Sequence, residues 1–471
     1  MKSSQRLPAL NTPKPTSGYR AFMIHTARVL PLLTATLLIS CGGSGGDNVN
    51  VLSDPQLDDP RIVPSSEVRP FISDGPFADV LADCAYADET VDYEREGICT
   101  LATLPYIGQT TDTITVDDIL ERTLVTHDWM GMRLRDLLSA MPADLLPMFA
   151  PVTSVVIGSE VRPSSFNWAL GRMKIDAAHL WTTVPEKRTI SQEDDFRSNF
   201  GADLQFVSFW RLMNGDEYAI PRSSLSDDNP REFNDTVLQA ARPLFHELAH
   251  ANDVIRPENI AGFSSDLTPL QATELFREQR ISNELYADES LSVPNSFLYS
   301  LARVRYADET PDEFQKSYLA DFVGGEMGNE GKQTFYGYFT IYEDMATLFA
   351  QTMMKYHFDI ETHVAFLNKP ANQPDPSCND YKVAWGVRNR LAAPLVAPRA
   401  RFVTEKLIGS STALDTFFAE SLGTQVPLRE GDGWCDSRFL TPAVSTARSR
   451  LAAEEQLQFE YQRRLFADRP H

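Results

Sequence analysis

The sequence lacks several features that would narrow its class at once. Its 471 residues contain no internal repeat, no low-complexity tract and no apolar run long enough to span a bilayer as a helix. Its five cysteines show no C-x-x-C spacing, which argues against a zinc site built from cysteine. Basic residues are also scarce, since 43 lysines and arginines stand against 65 acidic residues and leave a formal net charge of −22. Such a surface repels phosphate backbones, so nucleic acid is not expected as a partner.

The composition is otherwise that of a soluble globular protein. Apolar residues make up 42% of the chain and aromatic residues 10%, against a background of mixed charge. The length allows a large core and two or three domains once any targeting segment is removed.

The longest apolar run, residues 29–40, has the length of a signal-peptide core. It ends in the letters L-I-S-C-G, in which the cysteine is Cys41. This ending resembles the signal of bacterial lipoproteins, in which the cysteine carries the lipid and becomes the first mature residue. The resemblance implies a membrane anchor at Cys41, and Gly42 in the next position implies the outer membrane. An ordinary cleaved signal stays open as the alternative, and translation could start at Met1 or at Met23.

Cysteine usage is consistent with export. Apart from Cys41, the chain has an even number of cysteines, as expected in an oxidising compartment. Four cysteines allow three pairings, and we favour the two in which each pair lies within one segment of the chain. These pairs are Cys84 with Cys99 and Cys378 with Cys435.

The motif H-E-x-x-H occurs once, as His246-Glu247-Leu248-Ala249-His250. Apolar residues from Phe233 to Leu248 recur at helical spacing, so both histidines are predicted to share one face of a helix. Two imidazoles at this spacing can bind one zinc ion, while Glu247 beside them can deprotonate a water. Two unrelated histidines on an exposed helix are the alternative interpretation.

A third metal ligand has two candidates. Glu343 stands at the start of a helix predicted for residues 342–357, and Glu284 lies within a helix predicted for residues 269–289. Either carboxylate would complete a set of two histidines and one glutamate. Asp253 is a weaker candidate, because no glycine near it lets the chain turn back to the metal.

These residues resemble the gluzincin branch of zinc metallopeptidases, in which H-E-x-x-H is followed by a glutamate ligand on a later helix. Glu343 resembles the ligand of the anthrax lethal factor type, where a tyrosine seven residues earlier faces the metal. That position is Tyr336 here, with Tyr338 as its substitute, and the resemblance implies that the tyrosine donates to the oxyanion. Glu284 resembles instead the thermolysin pattern N-E-x-x-S-D, with Ala287 in place of the serine. We favour Glu343 because the tyrosine, the helix and the ligand come as one unit.

The resemblance implies an α+β fold with a zincin-like domain, built from a small mixed sheet and the active-site helices. Three strand-like runs precede the H-E-x-x-H helix, as expected of the upper sheet of such a domain, whose antiparallel edge strand often receives the substrate backbone. The runs are residues 152–158, 173–175 and 203–213. The expected organisation is a signal at residues 1–41, a tether at 42–68, a mostly helical region at 69–151, the catalytic domain at 152–368 and a helical C-terminal region at 369–471.

The expected function is that of an exported, lipid-anchored zinc metallopeptidase of the bacterial cell envelope, acting on peptides or proteins. In this interpretation Zn²⁺ is bound by His246, His250 and Glu343, Glu247 is the general base and Tyr336 donates to the oxyanion. Two alternatives stay open. One is a non-catalytic surface lipoprotein that binds its partner on the same fold, and the other is a zinc hydrolase of a non-peptide amide in the cell wall.

Overall fold

The computed structural model of the chain describes residues 59–86, 97–193, 200–220, 228–293, 297–371 and 376–440. The expected signal peptide, Cys41 and most of the expected tether lie outside the described residues, as does the C-terminal part beyond residue 440. Every described residue belongs to one compact unit. None of the described helices has both the length and the apolar character needed to cross a membrane.

The first of two five-stranded sheets, here called the mixed sheet, has the strand order β1-β2-β3-β5-β4. Its strands are β1 (Arg69–Pro70), β2 (Thr123–Val125), β3 (Ser154–Gly158), β4 (Ser165–Asn167) and β5 (Arg172–Asp176). β2, β3 and β5 run parallel, and Val156 on β3 lies opposite Leu124 and Lys174. β1 and β4 are antiparallel to their neighbours and form the two edges. This sheet joins strands from both sides of the boundary expected at residue 151.

The second sheet, here called the antiparallel sheet, has the order β10-β9-β8-β6-β7. Its strands are β6 (Phe206–Asn214), β7 (Glu217–Tyr218), β8 (Glu361–Asn368), β9 (Lys382–Arg388) and β10 (Val426–Pro427). The third strand-like run of the sequence forms β6, so the expectation that all three runs share one upper sheet is wrong. The physical reason is long-range pairing, since Trp210 on β6 lies opposite Val364 on β8, far along the chain.

Fifteen α-helices lie among the described residues outside these sheets. They are α1 (Ala78–Ala85), α2 (Ile107–Thr110), α3 (Val116–Leu120), α4 (Asp128–Ala140), α5 (Val184–Arg188), α6 (Phe233–Val254), α7 (Pro257–Ile260), α8 (Pro269–Leu275), α9 (Ile281–Ala287), α10 (Phe297–Tyr306), α11 (Glu313–Ser317), α12 (Ala320–Gly328), α13 (Ile341–Phe358), α14 (Ala397–Ile408) and α15 (Thr412–Thr416). Mixed helix and small sheets agree with the expected α+β class.

The helical stretch predicted for residues 269–289 is interrupted. The chain forms α8, a 3-10 turn at Arg277–Gln279 and then α9, with an extended residue, Arg280, before α9. Asp253 on α6 stabilises this second start, because its carboxylate accepts hydrogen bonds from Ser282 N at 2.8 Å and Ser282 Oγ at 2.7 Å. A side chain from another helix therefore supplies the cap, and no local pattern announces it.

Helices α6 and α13 pack along each other in the centre of the molecule, and α6 also contacts the edge strand β4. Almost every residue of α6 from Thr236 onward is buried, so the burial extends beyond the single apolar face that the spacing predicts. Pro243 lies inside α6, and the helix continues through it to Val254. The H-E-x-x-H turn is therefore held rigidly between a sheet edge and a second helix.

Both favoured disulfides are confirmed. Cys84 is bonded to Cys99 with their Cα atoms 5.4 Å apart, and Cys378 is bonded to Cys435 with their Cα atoms 5.8 Å apart. The second disulfide lies beside the antiparallel sheet in a small apolar cluster that includes Trp434.

Candidate metal centre

The last turns of α6 present both histidines and Glu247 as the sequence predicts. His246 is fully buried, and His250 one turn later is half-buried. Their ring centroids are 4.8 Å apart, and the two Nε2 atoms are 3.2 Å apart. A helix positions them this way because residues four apart lie on the same face.

Glu343 reaches the same point from the start of α13. Its Oε2 lies 2.9 Å from His246 Nε2 and 3.3 Å from His250 Nε2. The N-cap residue Thr340 fixes this turn, because its Oγ1 accepts a hydrogen bond from the Glu343 N–H at 3.1 Å. The structure thus brings together His246, His250 and Glu343.

This group can hold a metal ion, since its three candidate ligand atoms all lie within 4.8 Å of one another. Ligand atoms around a tetrahedral zinc ion are about 3.3 Å apart, given zinc–ligand bonds of about 2.0–2.1 Å. The three distances between Nε2 and Oε2 atoms, 2.9, 3.2 and 3.3 Å, are close to that spacing. The donor set therefore fits a small divalent cation without rearrangement of either helix.

Glu284, the alternative third ligand, lies elsewhere. Its carboxylate forms ion pairs with Arg256 and with Lys406, whose Nζ is 2.6 Å away. Asp253 is committed to Ser282 at the start of α9, although it lines the same pocket as His250. Neither carboxylate joins the group of candidate ligand atoms.

The protonation states of His246, His250 and Glu343 depend on one another. Burial lowers the pKa of His250, but the Glu343 carboxylate outweighs this effect and raises the pKa to about 9. Burial lowers the pKa of His246 to about 4, so His246 is neutral at physiological pH. Burial raises the pKa of Glu343, but His250 and the hydrogen bonds from both histidines hold it well below its usual range. The metal-free group thus combines an ionised carboxylate with one protonated imidazole.

Glu247 is buried and lines the same pocket as His250 and Glu343. Burial raises its pKa to about 7, and the backbone N–H of Phe166 on β4 donates to its carboxylate. Its Oε1 is buried and forms no hydrogen bond among the described residues. A carboxylate with this pKa can both accept and release a proton near neutral pH.

Tyr336 and Tyr338 lie in a 3-10 turn, Phe335–Tyr338, just before α13. The Tyr336 ring is stacked near the His246 ring, with centroids 6.3 Å apart, so Tyr336 lies beside the group. Tyr338 lies on another side of the turn, where Lys332 Nζ is 5.1 Å from its ring centroid. The structure therefore places Tyr336, and not its proposed substitute, next to a candidate ligand.

Arg242 is a residue of the site that sequence reasoning missed. It lies one helical turn before His246, is buried, and its guanidinium stacks 4.3 Å from the Trp210 ring centroid. Its charge lowers the pKa of Glu247 and so opposes the larger effect of burial. Its position four residues before His246 places it on the same face of the helix. This spacing alone does not identify a functional arginine, because it is common in helices.

A pocket of about 240 Å³ opens onto Glu247, His250 and Glu343. One wall is the edge strand β4, through Ser165 and Phe166. Its volume is below the range of about 300–1,000 Å³ found for drug-sized ligands, so it suits a few atoms of an extended chain better than a large rigid molecule. The other lining residues include Trp168, Arg280 and Tyr342, none of which the sequence singled out.

Comparison of the chain with protein-family models, with curated proteins and with solved structures finds no match in any of the three. What can be inferred about this protein's chemistry therefore comes from its own residues and their geometry.

Proposed function

We propose that the chain is a zinc-dependent metallopeptidase that hydrolyses peptide bonds. The observation that carries this proposal is the convergence of His246 Nε2, His250 Nε2 and Glu343 Oε2 at distances suited to one ion. Two imidazoles and one carboxylate are a ligand set of catalytic zinc, which keeps its fourth position for water or substrate. The zincin-like fold expected from the sequence is part of the same proposal.

A bound zinc ion would supply a Lewis acid for the scissile carbonyl and would lower the pKa of a nearby water toward neutrality. Glu247 is the general base in this scheme. It takes a proton from the attacking water and delivers it to the leaving amine, and its pKa of about 7 suits both steps. The Phe166 N–H supports the role by holding the carboxylate at the wall of the pocket.

Two further elements act on the substrate. Tyr336, beside His246, donates a hydrogen bond to the oxygen that becomes negative during attack. The edge strand β4 pairs with β5 on one side and lines the pocket, so it can receive an extended substrate backbone on its other side. An extended peptide is therefore the favoured class of substrate.

The same proposal includes export and a lipid anchor at Cys41 in a bacterial envelope, with the outer membrane as the favoured location. Two disulfides support an oxidising compartment, because such bonds are rare in the cytosol.

Zinc content and peptide hydrolysis, measured on the chain from residue 42 onward, test the proposal. We expect about one zinc per chain. Glu247→Ala should keep this zinc and lose at least about 100-fold in peptide hydrolysis, since a general base typically contributes 10²–10⁴-fold. Glu258→Ala, which removes an exposed glutamate of α7, is the matched control and should leave both quantities unchanged.

Two results would contradict the proposal. One is a Glu247→Ala variant that holds zinc and cleaves peptides as fast as the wild type. The other is a wild type that binds no zinc after metal supplementation, which would favour the non-catalytic binding function.

A further inference from the structure

Arg280 occupies an unusual position in the pocket. It is the extended residue between the Arg277–Gln279 turn and α9, and its side chain lines the same cavity as His250 and Glu343. Only 8% of the residue is exposed. Because the predicted helix is interrupted at this residue, the buried Arg280 side chain lies at the site.

This arginine has no ionic partner among the described residues. Its Nε is buried without a hydrogen bond, and no carboxylate forms an ion pair with it. The neighbouring Arg256 behaves differently, because its guanidinium is paired with Glu284. A buried charge without a partner is costly. Other buried arginines that lack an ion pair, such as Arg211 and Arg390, donate to main-chain carbonyls instead.

The acidic groups that line the same pocket do not neutralise Arg280 by direct contact. The charge of Arg280 acts to lower the pKa of Asp253, but the Asp253 carboxylate accepts its hydrogen bonds from Ser282. Glu343 is engaged with the two histidines, and Glu247 with the Phe166 N–H. The guanidinium therefore keeps its donors for a group that enters the pocket.

Two half-exposed aromatic side chains flank Arg280. Its Cζ lies 5.5 Å from the Tyr342 ring centroid and 6.0 Å from the Trp168 ring centroid. Trp168 is 38% exposed and Tyr342 is 36% exposed, so both rings are open to a ligand. Aromatic rings hold a planar guanidinium by its faces and leave its edge free to bind a carboxylate with two parallel hydrogen bonds.

We propose that Arg280, Trp168 and Tyr342 form a subsite for a carboxylate of the substrate, and that this subsite makes the protein selective for acidic peptides. The inference rests on the proposed function, because it places the subsite in the pocket where the peptide is cleaved. The carboxylate is either a glutamate or aspartate side chain or the C-terminal carboxylate of the peptide. The aromatic rings pack against the apolar atoms that carry it.

The net charge of the chain affects how strongly acidic peptides are preferred. A protein with a formal charge of −22 repels acidic peptides at long range, but at physiological salt this repulsion is screened beyond about 8 Å. Inside the pocket the direct contact with Arg280 decides the preference. We therefore expect acidic selectivity that rises further as salt screens the general repulsion.

The test uses pairs of fluorogenic peptides that differ only by glutamate or glutamine at each position around the cleaved bond. A second set compares free-acid with amidated C-termini. For the mature wild-type chain we expect kcat/KM to favour the carboxylate member of at least one pair by about 10- to 100-fold, as for a hydrogen-bonded charge pair. A preference in the first set identifies a side-chain carboxylate, and a preference in the second identifies the C-terminus.

Variants at Arg280 assign the preference to this residue. In Arg280→Met the ratio should fall to about one, while the neutral peptides are still cleaved. Arg280→Lys should give an intermediate ratio, because it keeps the positive charge but cannot donate two parallel hydrogen bonds from a planar group. Arg277→Met is the matched control, since Arg277 is exposed, lies three residues earlier and is outside the pocket. Its ratio should equal that of the wild type.

Failure of the subsite is distinguishable from failure of the proposed function. Wild-type ratios near one in every pair, or a ratio unchanged in Arg280→Met, would overturn the subsite while peptide hydrolysis stands. If the wild type cleaves no peptide, calorimetric binding of the same glutamate and glutamine peptides decides. Tighter binding of the glutamate peptide that is lost in Arg280→Met supports the subsite, and equal binding overturns it.

Discussion

Two adjacent carboxylates at the start of α13 lie in opposite electrostatic environments. Glu343 faces His246 and His250, which bring at most one positive charge between them in the metal-free group. Asp344 faces two basic side chains, with Arg399 Nη2 at 2.6 Å and Lys332 Nζ at 3.3 Å from its Oδ2. The ligand set around Glu343 can therefore accept an added cation. Asp344 already has cationic side chains as its partners.

The region around Asp344 explains how the candidate metal centre is held. Lys332 also donates to the carbonyl of Gly337 at 2.8 Å, which ties the turn carrying Tyr336 to the first turn of α13. Gly337 permits this contact, because a Cβ there would lie 2.9 Å from Asp344 Oδ1. Burial raises the pKa of Asp344, but Arg399 and Lys332 outweigh it and hold the carboxyl ionised. Asp344 therefore has its counter-charges within the fold, whereas among the described residues the Glu343 carboxylate has only the two histidines as partners.

The largest expected effect separates these two roles by paired substitutions. Asp344→Ala leaves Lys332 and Arg399 buried without their counter-charge, so it should lower the free energy of unfolding by about 3–5 kcal/mol. Glu343→Ala should lower that free energy by a smaller amount, because His250 loses the carboxylate that raises its pKa but can then become neutral. It should instead lower zinc affinity more than about 100-fold, since even an outer-shell partner typically contributes 10- to 100-fold.

Urea unfolding with and without a chelator, together with zinc titration, measures both quantities. The comparison breaks down if Asp344→Ala is as stable as the wild type, or if Glu343→Ala binds zinc normally.

A smaller effect concerns protons. The Glu343 carboxylate raises the pKa of His250 to about 9 against the opposing effect of burial, so metal binding at pH 7 must displace one proton. A proton held below a pKa of about 9 competes with the ion. Zinc affinity should therefore fall by about tenfold for each pH unit as the pH drops from 8 to 6. His246, whose pKa is about 4, adds no proton in this range.

Calorimetric titration with zinc in two buffers of different ionisation enthalpy counts the proton directly. Release of about one proton at pH 7 is expected. Affinity that stays constant between pH 6 and pH 8 would contradict the coupling between Glu343 and His250.

Sequence reasoning succeeded where a local period determined the structure. The spacing of apolar residues predicted α6 and α13 to within a few residues, and the four-residue spacing of His246 and His250 placed both imidazoles on one face. The disulfide pairs followed from proximity along the chain.

Sequence reasoning could not predict the features that depend on tertiary contacts. The sheet to which β6 belongs is fixed by β8, more than a hundred residues later. The break before α9 depends on Asp253, a residue of another helix, and it is this break that brings Arg280 to the pocket. The charge balance around Asp344 likewise needs Lys332 and Arg399, which no spacing connects.

The smallest expected effect belongs to Glu284, the glutamate that the sequence left as the alternative to Glu343. Its side chain is 31% exposed and is paired with Arg256 and Lys406, so it resembles Asp344 in having two cations but lies near the surface. Water screens such pairs, and each is typically worth about 0–1 kcal/mol. Glu284→Ala should therefore change the free energy of unfolding by about 1 kcal/mol or less and leave the zinc content unchanged, as measured by urea unfolding and elemental analysis. A carboxylate that already has its counter-charges has no need of a metal ion, and zinc loss in this variant would show that reasoning to be wrong.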